Sequence, residues 1–169
     1  MLSSSLKVSV RDARLADAPG LADVFRVSWS HAYQGVIPHN HLDGIIRRRK
    51  TTWWRSAIKS DERVLVLEFD KTLIGYATCG AARSRGASQG EIYEIYLLPD
   101  YQGLGFGEYL FEACRAHLDE QRFKGLLVWA LAENTSAISF YWQRGGRPIR
   151  AIYERIGGER LEKIAFGWD

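Results

Sequence analysis

The residues best placed to do chemistry in this chain form a glycine-rich turn, Gln102-Gly103-Leu104-Gly105-Phe106-Gly107. The stretch before the turn, Glu91 to Leu98, is rich in Ile, Tyr and Leu and is typical of a β-strand. After the turn, Leu110, Cys114 and Leu118 recur every four residues and predict a helix. The free N–H groups in the first turn of a helix, together with the helix dipole, attract anions. The arrangement therefore predicts a phosphate-binding turn.

Other sites with similar spacing are disfavoured by the residues around them. A dinucleotide-binding G-x-G-x-x-G counted from Gly103 requires a glycine where Glu108 stands, and the turn lacks the G-K-[ST] of a P-loop. Gly86-x-Ser88-x-Gly90 has the spacing of a hydrolase nucleophile elbow. A loop precedes this serine and a strand follows it, whereas an elbow requires a strand before it and a helix after it. That segment is interpreted as a polar turn.

The turn also resembles the signature of a known family. Gln102-x-x-Gly105-x-Gly107 is similar to the Q/R-x-x-G-x-G/A signature of the GNAT superfamily of N-acetyltransferases, and Leu97-x-Pro99 resembles the segment before it. A second block of polar, aromatic and glycine residues resembles the family in the same order: Asn134, Ala137, Phe140, Tyr141, Gly145 and Gly146. The resemblance spans about residues 8–168. It implies transfer of an acetyl group from acetyl-CoA to a primary amine, by direct attack in a ternary complex.

The resemblance also implies which residues bind the cofactor. In the family, the strand before the turn splays away from the next parallel strand, and the pantetheine arm inserts between them. Unpaired backbone groups near Leu97 and Leu98 would then bind this arm and polarise the acetyl carbonyl. Asn134 matches an asparagine that contacts the arm. The pyrophosphate would be bound by the backbone of the turn, which comprises Gln102, Gly103, Leu104, Gly105, Phe106, Gly107 and Glu108.

Acetyl transfer requires proton movements, and the resemblance suggests residues for them. The attacking amine must lose a proton, and the departing thiolate benefits from gaining one. Tyr141 matches the tyrosine proposed to protonate the coenzyme A thiolate. Glu91 stands at the position of a glutamate base in some relatives, and Glu94 is an equal candidate. The alternation of a strand places Glu91 and Glu94 on opposite faces unless a bulge intervenes, so the choice between them, or transfer through water, stays open.

Aromatic residues in the first third of the chain indicate where the acceptor binds. The segment that contains Trp29 and Tyr33 resembles the part of the family fold that walls the acceptor side. With Trp53 and Trp54, these residues could form an enclosed pocket, although a hydrophobic core uses the same residue types at the same spacing. A small-molecule amine is the expected acceptor. The alternatives are a protein N-terminus or lysine and, in another class, a non-catalytic module that senses acyl-CoA.

Composition limits the remaining possibilities. The 169 residues, 46% of them hydrophobic, predict one domain over residues 1–169. Because 23 basic residues face 20 acidic ones, no nucleic-acid partner is predicted, and the run Arg47-Arg48-Arg49-Lys50 is interpreted as a solvated helix face. Cys79 and Cys114 predict buried reduced thiols and no metal site. Without an apolar leader or a membrane segment, a cytoplasmic protein is expected, and many relatives pair as homodimers.

Hydrophobic periodicity and turn residues predict the order β-α-α-β-β-β-α-β-α-β-β. The predicted strands cover residues 6–11, 63–69, 72–79, 91–98, 126–131, 147–155 and 159–168, and the helices begin near position 17, cover 42–58 and 109–122, and begin again at 134. The fold class is α+β. In agreement with the GNAT resemblance, we expect a mixed, mostly antiparallel central sheet flanked by helices on both faces, with splayed parallel strands at the cofactor site.

Overall fold

The computed structural model describes residues 7–169. Its strands are β1 (Val8–Asp12), β2 (Arg63–Phe69), β3 (Thr72–Ala81), β4 (Gly90–Leu97), β5 (Leu126–Leu131), β6 (Arg147–Ile156) and β7 (Glu159–Trp168). Its α-helices are α1 (Ala18–Tyr33), α2 (His39–Arg48), α3 (Thr51–Lys59), α4 (Phe106–Glu120) and α5 (Thr135–Gln143). Leu6, the predicted first residue of β1, lies outside the described residues. The predicted α+β order is confirmed, except that one predicted helix is divided into α2 and α3.

The strands form one sheet in the order β1-β2-β3-β4-β5-β7-β6, in which β4 and β5 run parallel and the other neighbours antiparallel. The hairpin between β2 and β3 turns at Asp70 and Lys71, which both have positive φ. Gly157 and Gly158 do the same between β6 and β7. Positive φ at both central residues is typical of the tight turns that match strand twist. The mixed, mostly antiparallel sheet agrees with the sequence prediction.

Each face of the sheet is covered by its own helices and has its own core. On the α4 face, α4 and α5 pack on the sheet, and the core includes Ile92, Leu110 and Cys114. On the α1 face, α1 and α3 pack on the sheet, and the core includes Phe25 and Trp54. Successive strand side chains point to opposite faces, so the sheet contributes to both cores. Cys79 and Cys114 are free thiols and fully buried, in agreement with the sequence prediction.

The prediction of one helix over residues 42–58 is wrong. The helix ends at Arg48 and a new one begins at Thr51, because Arg49 leaves the helical conformation at φ −89° and ψ 42°. Apolar residues continue at helical spacing on both sides of this break, so periodicity could not reveal it. The interpretation of the basic run as a solvated face is also wrong for Arg49. Its side chain is 21% exposed and paired with Glu94, whereas that of Arg47 is 75% exposed.

Candidate active site

The parallel strands β4 and β5 separate after a short paired segment. Their pairing consists of Gly90 with Leu126, Glu91 with Leu127, and Ile92 with Val128. From there β4 continues to Leu97 and β5 to Leu131 without pairing to each other within the described residues. In an ordinary parallel pair these backbone groups would bond across the two strands. The divergence therefore opens a gap in the middle of the sheet, as the family resemblance implied.

The backbone groups at the end of β4 are not all free. The N–H of Leu98 donates to the Ile74 carbonyl at 2.8 Å, and the Leu98 carbonyl accepts from Tyr101 at 3.0 Å. The expectation that Leu98 offers unpaired backbone is therefore wrong, because this residue already pairs with β3 and with the following turn. Successive residues of a strand direct their N–H groups to opposite sides, so the N–H of Leu97 faces the gap. The Leu97 carbonyl accepts from Gln102 Nε2 at 3.1 Å, which ties the glycine turn to the strand.

Glycine is required in the turn for two different structural reasons. Gly103 and Gly105 have φ of +74° and +87°, in the left-handed region that favours glycine, and no described atom lies within 4 Å of where a Cβ would be. At Gly107, a Cβ would lie 2.8 Å from Cε2 of Phe140. Gly107 therefore allows α4 to pack closely against α5. Gly103 and Gly105 instead shape a turn whose outer side is open.

The amide groups of this turn are available for an anion. Within residues 7–169, no backbone carbonyl accepts a hydrogen bond from an amide of residues 103–108. The Leu104 side chain is 66% exposed, while the Phe106 ring packs against Phe69 at 5.3 Å between centroids. Phe106 therefore anchors the first turn of α4 and leaves its N–H groups exposed. Free amides at a helix N-terminus form a site suited to phosphate.

Helix α5 brings two further predicted residues to the α4 face. Asn134 caps the helix, with its side-chain oxygen accepting from the Ala137 N–H at 3.3 Å. Tyr141 is 4% exposed, and its ring lies 5.8 Å from that of Phe166. Burial raises the pKa of Tyr141 well above its ordinary value, and nearby Tyr33 adds to the rise. Tyr141 therefore keeps its proton at neutral pH and can serve as a donor.

A β-bulge changes the relation between the two candidate bases. Glu94 pairs with Thr78 and Ile92 with Cys79, so Tyr93 has no partner on β3. The extra residue shifts the alternation by one position. Glu91 and Glu94 therefore lie on the same face of the sheet, the α1 face. The bulge is the exception that strand alternation left open for these two residues.

The two glutamates differ in their partners and in their distance from the gap. Glu91 lies where β4 still pairs with β5, and its side-chain oxygen accepts from the Arg83 N–H at 2.9 Å. Glu94 lies on the unpaired part of β4 and forms two hydrogen bonds with Arg49, at 3.0 and 3.2 Å. Burial raises the pKa of both carboxyl groups, and Arg49 partly opposes this rise at Glu94. Because it lies on the unpaired part of β4, Glu94 is better placed than Glu91 to reach the gap.

Aromatic residues surround Glu94 on the α1 face. The Tyr33 and Tyr96 hydroxyls are hydrogen-bonded, and Trp29 Nε1 donates to the Tyr76 hydroxyl at 3.2 Å. Tyr33 also packs with Leu131 of β5, so it spans the gap between the two strands. Burial raises the pKa of Tyr33, and contacts with the Tyr96 hydroxyl and the Asn134 side chain partly oppose that rise. The structure thus brings Tyr33 close to residues of both faces.

The structure places three residues near the candidate site that the sequence did not predict there, and it places one predicted residue in the core instead. Trp54 is fully buried in the core of the α1 face and cannot wall a pocket, whereas Trp53 lies under the guanidinium of Arg49 at 3.8 Å. Tyr76, Tyr96 and Arg49 were not among the predicted site residues. Tyr96 could have been found, because strand alternation places it on the same face as Glu94.

Within residues 7–169, every helix is too short or too polar to span a bilayer.

A glycine-rich turn with free amides beside two diverging parallel strands fits the class of acyltransferases that hold a phosphate-bearing thioester in such a gap. Residues 22–146 match the acetyltransferase (GNAT) family, and the chain belongs to that family. The N-acetyltransferase YuaI of Bacillus subtilis, itself uncharacterised, is 31% identical over 163 residues, covering 95% of this chain and 92% of that protein. The chain is therefore an acyltransferase of the N-acetyltransferase type.

Two further relatives are more distant. The spermidine N(1)-acetyltransferase of Thermoplasma acidophilum is 22% identical over 146 residues, covering 83% of this chain and 88% of that protein. Among solved structures, the PaiA N-acetyltransferase from Thermoplasma acidophilum in complex with coenzyme A has the same fold. Its TM-score is 0.76 at 20% identity, covering 93% of this chain and 98% of that chain.

Proposed function

We propose that this acyltransferase moves an acetyl group from acetyl-CoA to the primary amine of a small molecule, by direct attack in a ternary complex. The observation that carries the proposal is the unpaired stretch of β4 and β5 next to the free amides of residues 103–108. Together they offer an anion site and a slot beside it. A pyrophosphate joined to a narrow thioester arm has this shape and charge.

The main chain supplies the cofactor contacts in this proposal. The amides of residues 103–108 bind the pyrophosphate, where the helix dipole adds partial positive charge. The N–H of Leu97 faces the gap and donates to the cofactor arm or to the thioester carbonyl. A donor fixed at that carbonyl stabilises the negative charge that develops on its oxygen during attack. Gln102 acts by holding the turn against β4.

Proton transfer in the proposal uses one residue from each face. Glu94, or a water held by it, takes the proton that the amine loses as its nitrogen bonds to the carbonyl carbon. The C–S bond then breaks, and Tyr141 donates its proton to the departing thiolate before regaining one from solvent. The raised pKa of Glu94 suits its role, since a desolvated carboxylate is a stronger base, and Tyr141 holds the proton that it donates.

The acceptor side supports a small molecule. Trp29, Tyr33 and Tyr96 form a compact aromatic group backed by the fully buried Tyr76, with ring centroids of Trp29 and Tyr96 5.3 Å apart. Ligand sites for small molecules are concave and lined by such residues, with a few polar groups among them. The spermidine N(1)-acetyltransferase relative also acts on a small amine. A single domain over residues 1–169 and a homodimer remain predictions; the single sheet supports the former.

The test is a screen of small amines with acetyl-CoA, following release of free thiol. We expect thiol release that depends on both the protein and an amine. Heat stabilisation by coenzyme A is measured in parallel, since a ligand at 100 times its Kd adds about 2.7 kcal/mol. Stabilisation without thiol release from any amine, peptide or lysine-bearing protein would favour the acyl-CoA sensor instead.

A further inference from the structure

The break between α2 and α3 places a cation beside the candidate base. Arg49 and Glu94 meet through two parallel hydrogen bonds of 3.0 and 3.2 Å, the fork geometry in which a guanidinium binds a carboxylate. Their side chains are 21% and 12% exposed, so solvent reaches the pair without surrounding it. The α1 face therefore presents one fixed cation and one fixed anion at the gap.

Aromatic rings hold Arg49 independently of Glu94. The guanidinium carbon lies 3.8 Å from the centroid of the Trp53 ring and 4.7 Å from that of Phe25. Stacking of this kind orients the planar guanidinium and restricts its rotamers. Arg49 can therefore keep its position when the carboxylate that it binds is exchanged for another.

Charge balance limits what can bind beside this pair. The nearest hydroxyls, those of Tyr33, Tyr76 and Tyr96, are neutral, since burial raises the pKa of each. The other charged groups that act on Glu94, Glu62 and Arg83, form an ion pair with each other. An acceptor with positive charge alone would draw Glu94 away and leave Arg49 half-buried without a counterion. Uncompensated charge in such a place is strongly unfavourable. An acceptor that also brings a carboxylate replaces the lost partner.

We infer that the acceptor carries a carboxylate close to its amine, as an amino acid does, with Arg49 binding the carboxylate and Glu94 the ammonium group. The inference rests on the proposed function and specifies its substrate class. Binding replaces the Arg49–Glu94 ion pair with two new ones, Arg49 with the carboxylate of the acceptor and Glu94 with its ammonium group. Neither side chain is then left without a counterion. Binding also releases Glu94 from Arg49 at the moment when its basicity is needed. A polyamine, which lacks the carboxylate, fits this site poorly.

The first test compares matched acceptors with the wild-type protein. Thiol release from acetyl-CoA is followed with a set of amino acids, with the corresponding amino-acid amides, and with spermidine. We expect at least one amino acid to have a kcat/KM about 10- to 100-fold above that of its amide, the ratio that a charge-assisted pair contributes. Equal or better use of the amides or of spermidine would overturn the inference and leave the proposed function standing. Coenzyme A binding without acetylation of any amine would overturn both.

The second test is Arg49→Gln, with Arg47→Gln as the matched control. Arg47 belongs to the same basic run, but its side chain is 75% exposed, and its ion-pair partner among the described residues is Asp43 on its own helix. We expect Arg49→Gln to abolish the preference for acid over amide through a rise in KM for the acid, while Arg47→Gln keeps the preference. The acid-to-amide ratio is insensitive to the fraction of folded protein.

Arg49→Lys distinguishes recognition from packing. Lysine keeps the charge but cannot form the bidentate fork, so we expect an intermediate preference for the acid. Heat stabilisation by coenzyme A reports in each variant whether the cofactor side is intact. An unchanged acid-to-amide ratio in a folded Arg49→Gln variant would overturn the inference.

Discussion

The two faces of the sheet meet at the gap between β4 and β5, but they contribute different kinds of chemistry. On the α4 face, the proposed cofactor side consists mainly of main-chain amides in one continuous segment, residues 103–108, to which α5 adds the side chains of Asn134 and Tyr141. On the α1 face, the acceptor side consists of side chains from separate elements. Arg49 follows α2, Tyr33 ends α1, and Glu94 and Tyr96 lie on β4.

This difference predicts that the cofactor side tolerates side-chain changes that the acceptor side does not. Main-chain amides are present whatever the side chains are, so the cofactor side requires only glycine where φ is positive or where packing is close. On the proposed acceptor side, the side chains themselves would contact the acceptor. We therefore expect relatives to share a cofactor and to differ in their acceptors, and we expect substitutions on the two faces to change different kinetic constants.

Gly105→Val should produce the largest effect, on the cofactor side alone. Valine at φ +87° costs about 1–2 kcal/mol of backbone strain, and a displaced turn loses hydrogen bonds to charged phosphate worth about 1.5–3 kcal/mol each. We expect affinity for coenzyme A, measured by calorimetry, to fall several-hundred-fold, from about 3–4 kcal/mol in total. Gly86→Val is the control, because Gly86 has open surroundings and no positive φ. Normal coenzyme A binding by Gly105→Val would contradict the proposed turn.

Tyr141→Phe should have the second largest effect, and it separates chemistry from binding. The variant keeps the ring that packs near Phe166 but removes the proton offered to the thiolate. We expect kcat at neutral pH to fall by about 10- to 100-fold, the low end of general acid catalysis because a thiolate leaves readily. Coenzyme A affinity should stay within about twofold. If kcat were unchanged, Tyr141 would have no part in the mechanism.

Tyr33→Phe tests the acceptor side with a smaller change. The substitution removes the hydroxyl that bonds to Tyr96 and keeps the ring that spans the gap. One neutral hydrogen bond contributes about 0.5–1.5 kcal/mol, so we expect KM for the acceptor to rise about two- to tenfold, with coenzyme A affinity unchanged. Tyr153→Phe is the control, since Tyr153 is 55% exposed on the edge strand β6. Loss of coenzyme A affinity in Tyr33→Phe would break the separation of the two faces.

The sequence could predict the glycine turn and the elements on either side of it because their requirements are local. The strand, the glycines and the helix that form it are consecutive, and each leaves a pattern in the residues themselves. The turns of both tight hairpins depend on similarly local residue types, Asp70-Lys71 and Gly157-Gly158. Leu98 is the exception. Its amide bonds to Ile74 of β3, and no local pattern records a partner on another strand.

The acceptor side could not be predicted because its geometry depends on departures from regular structure. The helix break at Arg49 lies inside an uninterrupted helical periodicity, and the bulge at Tyr93 lies inside an ordinary strand sequence. The helix break lets Arg49 reach Glu94, and the bulge places Glu94 on the same face of the sheet as Glu91. A continuous helix and a regular strand would place these side chains elsewhere. Both departures exist because distant residues pack or pair there, and such contacts are fixed only when the sheet forms.

Glu91→Gln should have the smallest effect. It tests whether Glu91 acts in catalysis or only contributes to the stability of the fold. Burial raises the pKa of Glu91 in the folded chain, so this carboxyl binds its proton more tightly there than in the unfolded chain. Its contribution to stability is therefore full below the unfolded pKa, about 4.3, and is lost as pH rises through the folded pKa. Glutamine avoids this loss and still accepts from the Arg83 N–H.

We therefore expect Glu91→Gln to match the wild type in Tm at acidic pH and to exceed it at neutral pH, measured by thermal unfolding at both pH values. Turnover should be unchanged, because Glu91 lies where β4 and β5 are still paired and its carboxylate is bonded to the main chain. A large fall in kcat with unchanged Tm would instead make Glu91 the base. The bulge that places both carboxylates on one face would then serve Glu91, and Glu94 would act only as the partner of Arg49.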